Sequence, residues 1–483
     1  MKKKRNAPSR RVYRARQKSA RRKHRLRKGR KGTNRRGPLP GPQVRCDDSN
    51  LTQFAGLIPF ILFMTNQLRV PQVLKDVVGY VATPRVHAPH LVLFAFVVGA
   101  LAGIERLAHL EWLGNDVALI KYLRLSYWPV RKVFSRALAT LSDDGVARLR
   151  AFVTSLGLRP LRATDSVVVD FDTTAIVCFG NAQGAQFGYT GKGRRRKRHF
   201  PIVASVAETR TVVNALYRDG SKMTSQQQVD FVAQTLLRIR EHLGTKLSLF
   251  VRGDSGFWSY AMRDWLNDNA VPYFIVMRMV PQLKLFLHKV HFEPMTDEPD
   301  IEFGSIHGTK IGMGNTRVVL IRRRVHEPKA PPMGKRVDGH PNWRYQAIAT
   351  NQPWGPVDVW RFYNDRGDCE RVFKVGKQAL ALQRLVGHDF RANEVAFLLR
   401  LLAYNADTLF ELHCEERARQ QGCKVLRCGL QWRQVRFFCS PGRLLIEGGR
   451  YVLRAPSNAK LHQLWEYYAP DLVENASSME AVA

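Results

Sequence analysis

The chain has 483 residues and a mass of 55.2 kDa, which is more than one ordinary domain holds and indicates two or three. Hydrophobic residues make up 45% and aromatic residues 10%, which excludes a chain that is disordered throughout. Lys and Arg number 77 against 40 Asp and Glu, a formal net charge of +37. This excess favours a polyanionic partner, with nucleic acid first and an anionic membrane surface second.

The chain begins with a strongly basic segment. Residues 1–45 contain 20 Lys or Arg and no acidic residue, so they cannot collapse into a core and are predicted to form a disordered polycationic arm. The remaining residues still carry +17, so the folded part is basic as well. No apolar segment of the kind found in secretory signals follows the basic start, and seven cysteines do not make a disulfide framework. We therefore expect reduced thiols and a cytoplasmic location.

Residues 46–163 carry apolar positions at helical spacing, interrupted by several prolines. The longest apolar run covers 91–104, 14 residues, which is too short to span a bilayer and predicts a buried helix. We therefore expect no membrane partner. Two interpretations of the helical segment stay open. It is either an N-terminal DNA-binding domain or a helical cap over the domain that follows.

Strand patterns begin after this helical segment. Residues 166–172 form an apolar strand that ends in two carboxylates, Asp170 and Asp172. Because side chains alternate between the faces of a strand, both carboxylates should lie on the same face. Residues 201–206 and 211–217 are predicted as two further strands.

An amphipathic helix follows these strands. Ser225 and Gln228 form a capping-box pair at its start, and Gly244 ends it. Residues 246–251 form another apolar strand, which runs directly into Asp254. Three strands, a helix and a strand ending in an acid are the order of a ribonuclease-H-like core, so we predict an α/β fold.

The rest of the chain alternates between strand-rich and helical patterns. A helical pattern resumes near Tyr363, and a late hairpin is predicted from Val435–Phe438 with Tyr451–Arg454. The predicted segments are a disordered arm (1–45), a helical N-terminal DNA-binding domain (46–163), the first part of the core (164–283), a β-rich insertion (284–351), the second part of the core with a third acid on a helix (352–415), and a C-terminal segment (416–483).

Three acids in this order suit a metal-dependent phosphodiester reaction. Two hard cations on one phosphate can activate the attacking oxygen and stabilise the leaving oxygen, and Mg²⁺ needs few protein carboxylates for this. Asp172, Asp254 and Glu370 are the predicted catalytic and metal-binding set. Asp172 is favoured over Asp170 as the first acid because a hydroxyl residue, Thr174, follows two places after it.

The third acid lies in a patterned helix. Tyr363, Arg366, Glu370 and Lys377 are spaced so that they fall within about 60° of each other on one continuous helix. An acid for a metal ion, flanked by cations for phosphates, is typical of a phosphoryl-transfer site on DNA. The alternative is a solvated face with an Arg366–Glu370 ion pair.

A second basic cluster follows the first strand. Lys192, Arg194, Arg195 and Arg196 lie in a loop that joins the first two core strands. The loop is predicted to contact the DNA backbone near the active site. A solvated turn in a basic protein is the alternative.

These motifs resemble those of the DDE transposases of bacterial insertion sequences, in the group with a β-strand insertion before the last acid. The group signature Y-x₂-R-x₃-E-x₆-K is matched by Tyr363, Arg366, Glu370 and Lys377. Supporting matches are Val169-Asp170-Phe-Asp172-Thr-Thr174 at the first acid, Arg252-Gly-Asp254-Ser-Gly-Phe257 at the second, and Asn393 with Ala403-Tyr404-Asn405 after the third. The acids are 82 and 116 residues apart, and the second gap has room for the insertion.

The resemblance implies a transposase that binds terminal inverted repeats and catalyses DNA strand cleavage and strand transfer. It implies two Mg²⁺ or Mn²⁺ ions, and double-stranded DNA, both element ends and target, as the partner. It further implies a homodimer on DNA and association with the nucleoid. It also places a base-stabilising aromatic in the insertion, for which Trp343 and Trp354 are candidates, with packing as the alternative role.

Two rival functions remain at this point. The segment around Asp170 and Asp172 also fits the first motif of haloacid-dehalogenase-type phosphatases, with Asp170 as the nucleophile. Such an enzyme needs a second acid about four residues after Asp254, where this chain has Trp258. The other rival is an inactive, transposase-derived DNA-binding protein.

Overall fold

The computed structural model describes residues 43–80, 86–162, 166–190, 195–326 and 342–473. Residues 1–42 of the predicted arm lie outside the described part of the chain. The described residues from Asn50 onward form one compact unit. The described part is a mixed α/β protein built around a large mixed sheet.

The described residues form the following strands: β1 (Leu51–Thr52), β2 (Ser166–Thr173), β3 (Ile176–Val177), β4 (Gln186–Tyr189), β5 (Arg195–His199), β6 (Ile202–Val206), β7 (Val212–Leu216), β8 (Ser248–Gly253), β9 (Tyr273–Met277), β10 (Glu293–Pro294), β11 (Ile301–His307), β12 (Arg317–Arg324), β13 (Trp343–Thr350), β14 (Gly442–Glu447) and β15 (Arg450–Arg454).

The α-helices of the same residues are α1 (Ile58–Asn66), α2 (Val70–Val78), α3 (Pro89–Leu101), α4 (Leu107–Leu110), α5 (Val117–Tyr122), α6 (Arg131–Ala139), α7 (Asp143–Leu158), α8 (Ser225–Leu243), α9 (Tyr260–Asp268), α10 (Pro281–Phe286), α11 (Pro356–Asn364), α12 (Gly367–Ala379), α13 (Phe390–Gln420), α14 (Leu430–Arg433) and α15 (Ala459–Tyr468). Short 3₁₀ turns cover Ala55–Leu57, Glu111–Asn115, Leu287–Lys289, Gly308–Ile311 and Pro470–Leu472, and one π-helical turn covers Gln434–Phe438.

The central sheet has nine strands within the described residues, in the order β10-β11-β12-β13-β9-β8-β2-β6-β7. The pairs β2–β8 and β8–β9 are parallel, whereas β2–β6 and β6–β7 are antiparallel. The strands predicted after the first acid-bearing strand are confirmed as β6 and β7. The strands of the predicted β-rich insertion do not form a sheet of their own, because β13 pairs with β9 and so extends the central sheet.

Helix α8 forms where its apolar periodicity predicts it. Gly244 ends the helix with a φ of +100°, a backbone angle that favours glycine. The capping box uses Thr224 and Gln227 rather than the predicted Ser225 and Gln228. Thr224 accepts the backbone N–H of Gln227, and the Gln227 side chain accepts the backbone N–H of Thr224.

The N-terminal helices share a core with the C-terminal half of the chain. The apolar run predicted as a buried helix is confirmed as α3, which packs against α13. Asn405 of α13 is fully buried, and its amide accepts the backbone N–H of Val212 and donates to the carbonyls of Val153 and Val212. Asn405 therefore connects α13 with α7 of the N-terminal helices and with β7 of the central sheet.

The predicted late hairpin is wrong in one of its strands. Residues 434–438 form a π-helical turn, and β15 pairs with β14 instead. Phe437 and Phe438 are both fully buried, whereas neighbouring residues of a strand point to opposite faces. A helical turn allows two successive rings to enter the same core. In the described part of the chain, no helix has both the length and the apolarity required to cross a bilayer.

Candidate active site

Two of the predicted acids lie at the ends of neighbouring parallel strands. Asp172 is near the end of β2, and Asp254 follows β8 directly. In the β2–β8 register Phe171 lies opposite Gly253, so the next residues on the two strands are these two acids. Adjacent strands are about 4.8 Å apart. Both carboxylates are partly exposed, and the Asp254 Oδ1 accepts the backbone N–H of Gly256 at 2.8 Å.

The other candidate for the first acid, Asp170, has a different environment. Its side chain is fully buried and forms a bidentate ion pair with Arg252, at 2.7 Å from Nε to Oδ1 and 2.8 Å from Nη2 to Oδ2. Arg252 lies directly opposite Asp170 on β8 and is only 2% exposed. Both oxygens of Asp170 are therefore engaged by a guanidinium inside the protein.

Arg252 also binds the segment that leads to the third acid. Its Nη1 donates to the carbonyl of Phe362 at 2.6 Å, and its guanidinium lies 5.2 Å from the centre of the Phe362 ring. Phe362 belongs to α11. One buried cation thus connects both acid-bearing strands with the helix that precedes Glu370. Sequence reasoning did not find this role for Arg252. The sequence does contain a hint of this pairing: Asp170 and Arg252 each stand two residues before one of the acids.

The prediction of one continuous helix from Tyr363 to Lys377 is wrong. Tyr363 lies in α11, whereas Glu370 and Lys377 lie in α12. At the junction the backbone N–H of Arg366 bonds to the Tyr363 carbonyl three residues back, at 3.1 Å. This turn ends the first helix before the second begins. The predicted angular range of about 60° assumed one continuous helix, so it does not apply to these four residues. The side chain of Glu370 lies outside the part of the chain that the structure describes.

The three described members of the signature nevertheless meet near Asp172. Arg366 is 7% exposed, and its Nη2 donates to the Phe171 carbonyl at 2.7 Å and lies 3.4 Å from Asp172 Oδ1. Burial lowers the pKa of Lys377, and the nearby Asp172 partly offsets this effect. Burial also raises the pKa of Tyr363, with smaller contributions from Asp254 and Asp172 that Arg366 opposes. Arg366 therefore lies beside the first acid, and Tyr363 and Lys377 lie within electrostatic reach of it.

The donor chemistry of this cluster fits a hard divalent cation. Asp172 and Asp254 supply carboxylate oxygens at neighbouring strand ends, which are ligands that Mg²⁺ and Mn²⁺ accept. Asp170 does not fit as a ligand because Arg252 occupies both of its oxygens. Among the described side chains, which exclude that of Glu370, no three His, Cys, Asp or Glu residues form a metal-binding group.

The predicted basic loop is only partly described. Lys192 and Arg194 lie outside the described residues. Arg195 and Arg196 are exposed, but they lie in strand β5 rather than in a loop. The hydrogen-bonded partners of β5 are β3 and β4, which together make a separate three-stranded sheet between β2 and β6 in the chain.

The two candidate tryptophans have distinct surroundings. Trp354 packs among Phe250, Phe274 and Phe362, with ring centres 5.7, 5.0 and 5.1 Å away. Its contacts are those of a core residue. Trp343 lies on β13, and the Arg322 guanidinium is 4.4 Å from its ring centre.

The fold and the site define a mixed α/β protein with a pair of carboxylates at the ends of two central parallel strands. Residues 43–431 match the family described as "Transposase DDE domain group 1". The chain therefore belongs to the DDE transposase family, and it is a transposase by that membership.

Two further comparisons were made, with curated protein sequences and with solved structures. No curated protein sequence matches the chain. Among solved structures, the chain is similar to one described as the cryo-EM structure of a piggyBac transposase synaptic complex with hairpin DNA. The TM-score is 0.42, the sequence identity is 10%, and the match covers 79% of each chain.

Proposed function

We propose that the chain is the transposase of a bacterial insertion sequence, which binds terminal inverted repeats and catalyses metal-dependent DNA strand cleavage and strand transfer. The observation that carries the proposal is the position of Arg366 beside Asp172, with Asp254 at the neighbouring strand end, in a DDE transposase whose signature also includes Tyr363 and Lys377. The order β7-β6-β2-β8-β9, with its first three strands antiparallel and the last two parallel to β2, supports a ribonuclease-H-like core.

The proposed catalytic acids are Asp172, Asp254 and Glu370, which would hold Mg²⁺ or Mn²⁺, two ions in all. When bound there, such ions would supply Lewis-acid polarisation of the scissile phosphate and activation of the attacking oxygen. Asp170 has a supporting role in this scheme, because its ion pair with Arg252 fixes the two acid-bearing strands in register.

The cations beside the first acid have a role of their own. Arg366 and Lys377 carry positive charge next to Asp172, and we assign them to the phosphates that flank the scissile bond. Their fixed positions would hold the scissile phosphate in line with the acids. Holding reacting groups in the correct geometry lowers the barrier to reaction.

The proposed partner is double-stranded DNA, both at the element ends and at the target. The net charge of +37 and the exposed Arg195 and Arg196 favour backbone contacts. The helical segment 46–163 is proposed to contribute to DNA binding, and a homodimer on paired ends would bring two active sites together.

The phosphatase alternative conflicts with the surroundings of its nucleophile. In that scheme the Asp170 carboxylate would attack a phosphate, yet the side chain is fully buried. Both of its oxygens accept hydrogen bonds from Arg252. A substrate phosphate therefore has no approach to this carboxylate.

Glu370→Gln tests the proposal, because it retains size and hydrogen bonding but removes the charge that a metal ion requires. Single-turnover cleavage of terminal-repeat DNA in Mg²⁺ or Mn²⁺ should fall by about 10³-fold or more, since metal stabilisation is worth several kcal/mol. Affinity for the same DNA should change little. Glu416→Gln, an exposed position on α13, is the matched control. Equal cleavage by the two variants, or no metal-dependent cleavage by the parent protein, would refute the proposed activity.

A further inference from the structure

The small sheet formed by β3, β4 and β5 has an unusual face. In its register Phe187 lies opposite Lys197, and Tyr189 lies opposite Arg195. Directly opposed residues of an antiparallel pair project on the same side, with Cβ atoms about 5 Å apart. Two aromatic rings and two cations therefore share one face, which we call the aromatic–cationic face.

The rings of this face are available to a ligand. Phe187 is 64% exposed and Tyr189 is 62% exposed. Among the described residues neither ring stacks on another aromatic side chain. Of the two cations, Arg195 is exposed, and Lys197 is partly exposed with a 3.5 Å hydrogen bond to Asn181 Oδ1.

On the opposite face of the same sheet, the side chain of Arg198 covers Gly188. The contact is so close that a Cβ on Gly188 would meet the Arg198 Nε at 2.2 Å. The Arg198 guanidinium also stacks 3.8 Å from the centre of the Phe200 ring and donates to the Tyr189 carbonyl. Because that last bond is to the backbone, the Tyr189 side chain can be removed without losing it.

The aromatic–cationic face lies close to the proposed active site. The chain reaches β3 four residues after Asp172 and leaves β5 through Phe200 and Pro201, whose carbonyl accepts the backbone N–H of Thr174. Val203 of β6 pairs directly with Asp172. Lys197 is six residues from Val203, at most about 20 Å along the chain at 3.3 Å per residue.

We propose that this face binds unpaired bases of the DNA strand next to the cleavage site. Bases of an intact duplex are stacked on each other, so exposed rings cannot stack on them, whereas every unpaired base presents a free π-face. The strands β3, β4 and β5 contain no acidic residue, so the cations complement the phosphates of the same strand. The inference rests on the proposed function, since it takes DNA as the substrate.

The test compares Phe187→Ala, Tyr189→Ala and the double variant with the parent protein in full-length form. The probes are a fluorescent oligothymidylate and a duplex of equal length, and binding is measured by anisotropy at raised salt, where phosphate contacts weaken. Each ring should contribute about tenfold to affinity for the single strand, since base–aromatic stacking is worth about 1–3 kcal/mol. Duplex affinity should stay within about twofold. Tyr451→Ala, an exposed tyrosine on β15 that also contacts a lysine, is the control.

Unchanged affinity of the double variant for the oligothymidylate would overturn the inference. An equal loss for single strand and duplex would also overturn it, because the face would then be a general backbone contact. The outcome is separable from that of the proposed function. Cleavage that is abolished by Glu370→Gln can coexist with a failed single-strand test. Conversely, a ring-dependent preference for single strands in a protein without metal-dependent cleavage would support the face and refute the activity.

Discussion

The buried ion pair between Asp170 and Arg252 allows a quantitative prediction. Arg252→Met keeps roughly the length of the side chain but takes the bidentate guanidinium away from a fully buried carboxylate. Two charge-assisted hydrogen bonds to Asp170 are lost, at about 1.5–3 kcal/mol each, together with the hydrogen bond to the Phe362 carbonyl. Removal of one member of a buried pair typically costs about 3–5 kcal/mol. We therefore expect the free energy of unfolding to fall by about 4 kcal/mol.

The double variant Asp170→Leu with Arg252→Met should be much less destabilised than the sum of the single variants. No buried charge remains in it, and replacing a buried pair with apolar side chains is often neutral or better. The remaining loss is the unsatisfied Phe362 carbonyl, worth about 1–3 kcal/mol. The exposed pair of Asp144 and Arg148, with side chains 69% and 49% exposed, is the control, and Asp144→Asn should cost under about 0.5 kcal/mol.

The assay is urea-induced unfolding, in which a shift of the midpoint at constant slope reports stability alone. A loss below about 1 kcal/mol in Arg252→Met would refute the reasoning, because it would mean that the carboxylate is not desolvated. Additive losses in the double variant would refute it as well, since the two side chains would then not interact.

Three further predictions concern activity. Asp172→Asn should abolish cleavage with DNA binding intact, whereas Asp170→Asn should retain measurable cleavage; the reverse ranking would make Asp170 the metal ligand. Raising the pH towards 10.5, the ordinary pKa of lysine, should slow single-turnover cleavage by deprotonating Lys377, but not in Lys377→Arg. Because the folded-state pKa lies below the unfolded one, this titration raises stability with pH, so unfolding through Lys377 cannot mimic the effect. Deleting residues 1–45 should flatten the salt dependence of DNA binding while discrimination of terminal repeats survives; loss of discrimination would contradict a purely electrostatic arm.

The elements that depend on local patterns were predictable from the sequence. The strand before Asp172 and the helix that ends at Gly244 follow from periodicity and capping. The equal positions of Asp170 and Arg252 before the two acids were a hint of their pairing, but the pairing itself depends on the register between strands 82 residues apart. The extension of the central sheet by the insertion strands is a long-range pairing of the same kind.

The helix break after Asn364 has a further cause. Neither Asp365 nor Arg366 excludes a continuous helix by its own propensity, although Gly367, directly after them, weakens it. The Arg366 guanidinium bonds to the Phe171 carbonyl and lies beside Asp172, and the backbone turn accompanies these tertiary contacts. A one-dimensional pattern carries no information about such contacts, so the residue types of the signature were found but their arrangement was not.

The strands of the predicted insertion join the central sheet through β9, and this affects which parts of the protein can change in length. Met277 ends β9, and Ala347 lies directly opposite it on β13, the last strand of the predicted insertion. Longer or shorter loops can begin and end at such a point without displacing β8 and β2, which lie on the other side of β9. The outer edge of the sheet can therefore vary in length while the acid pair stays in place.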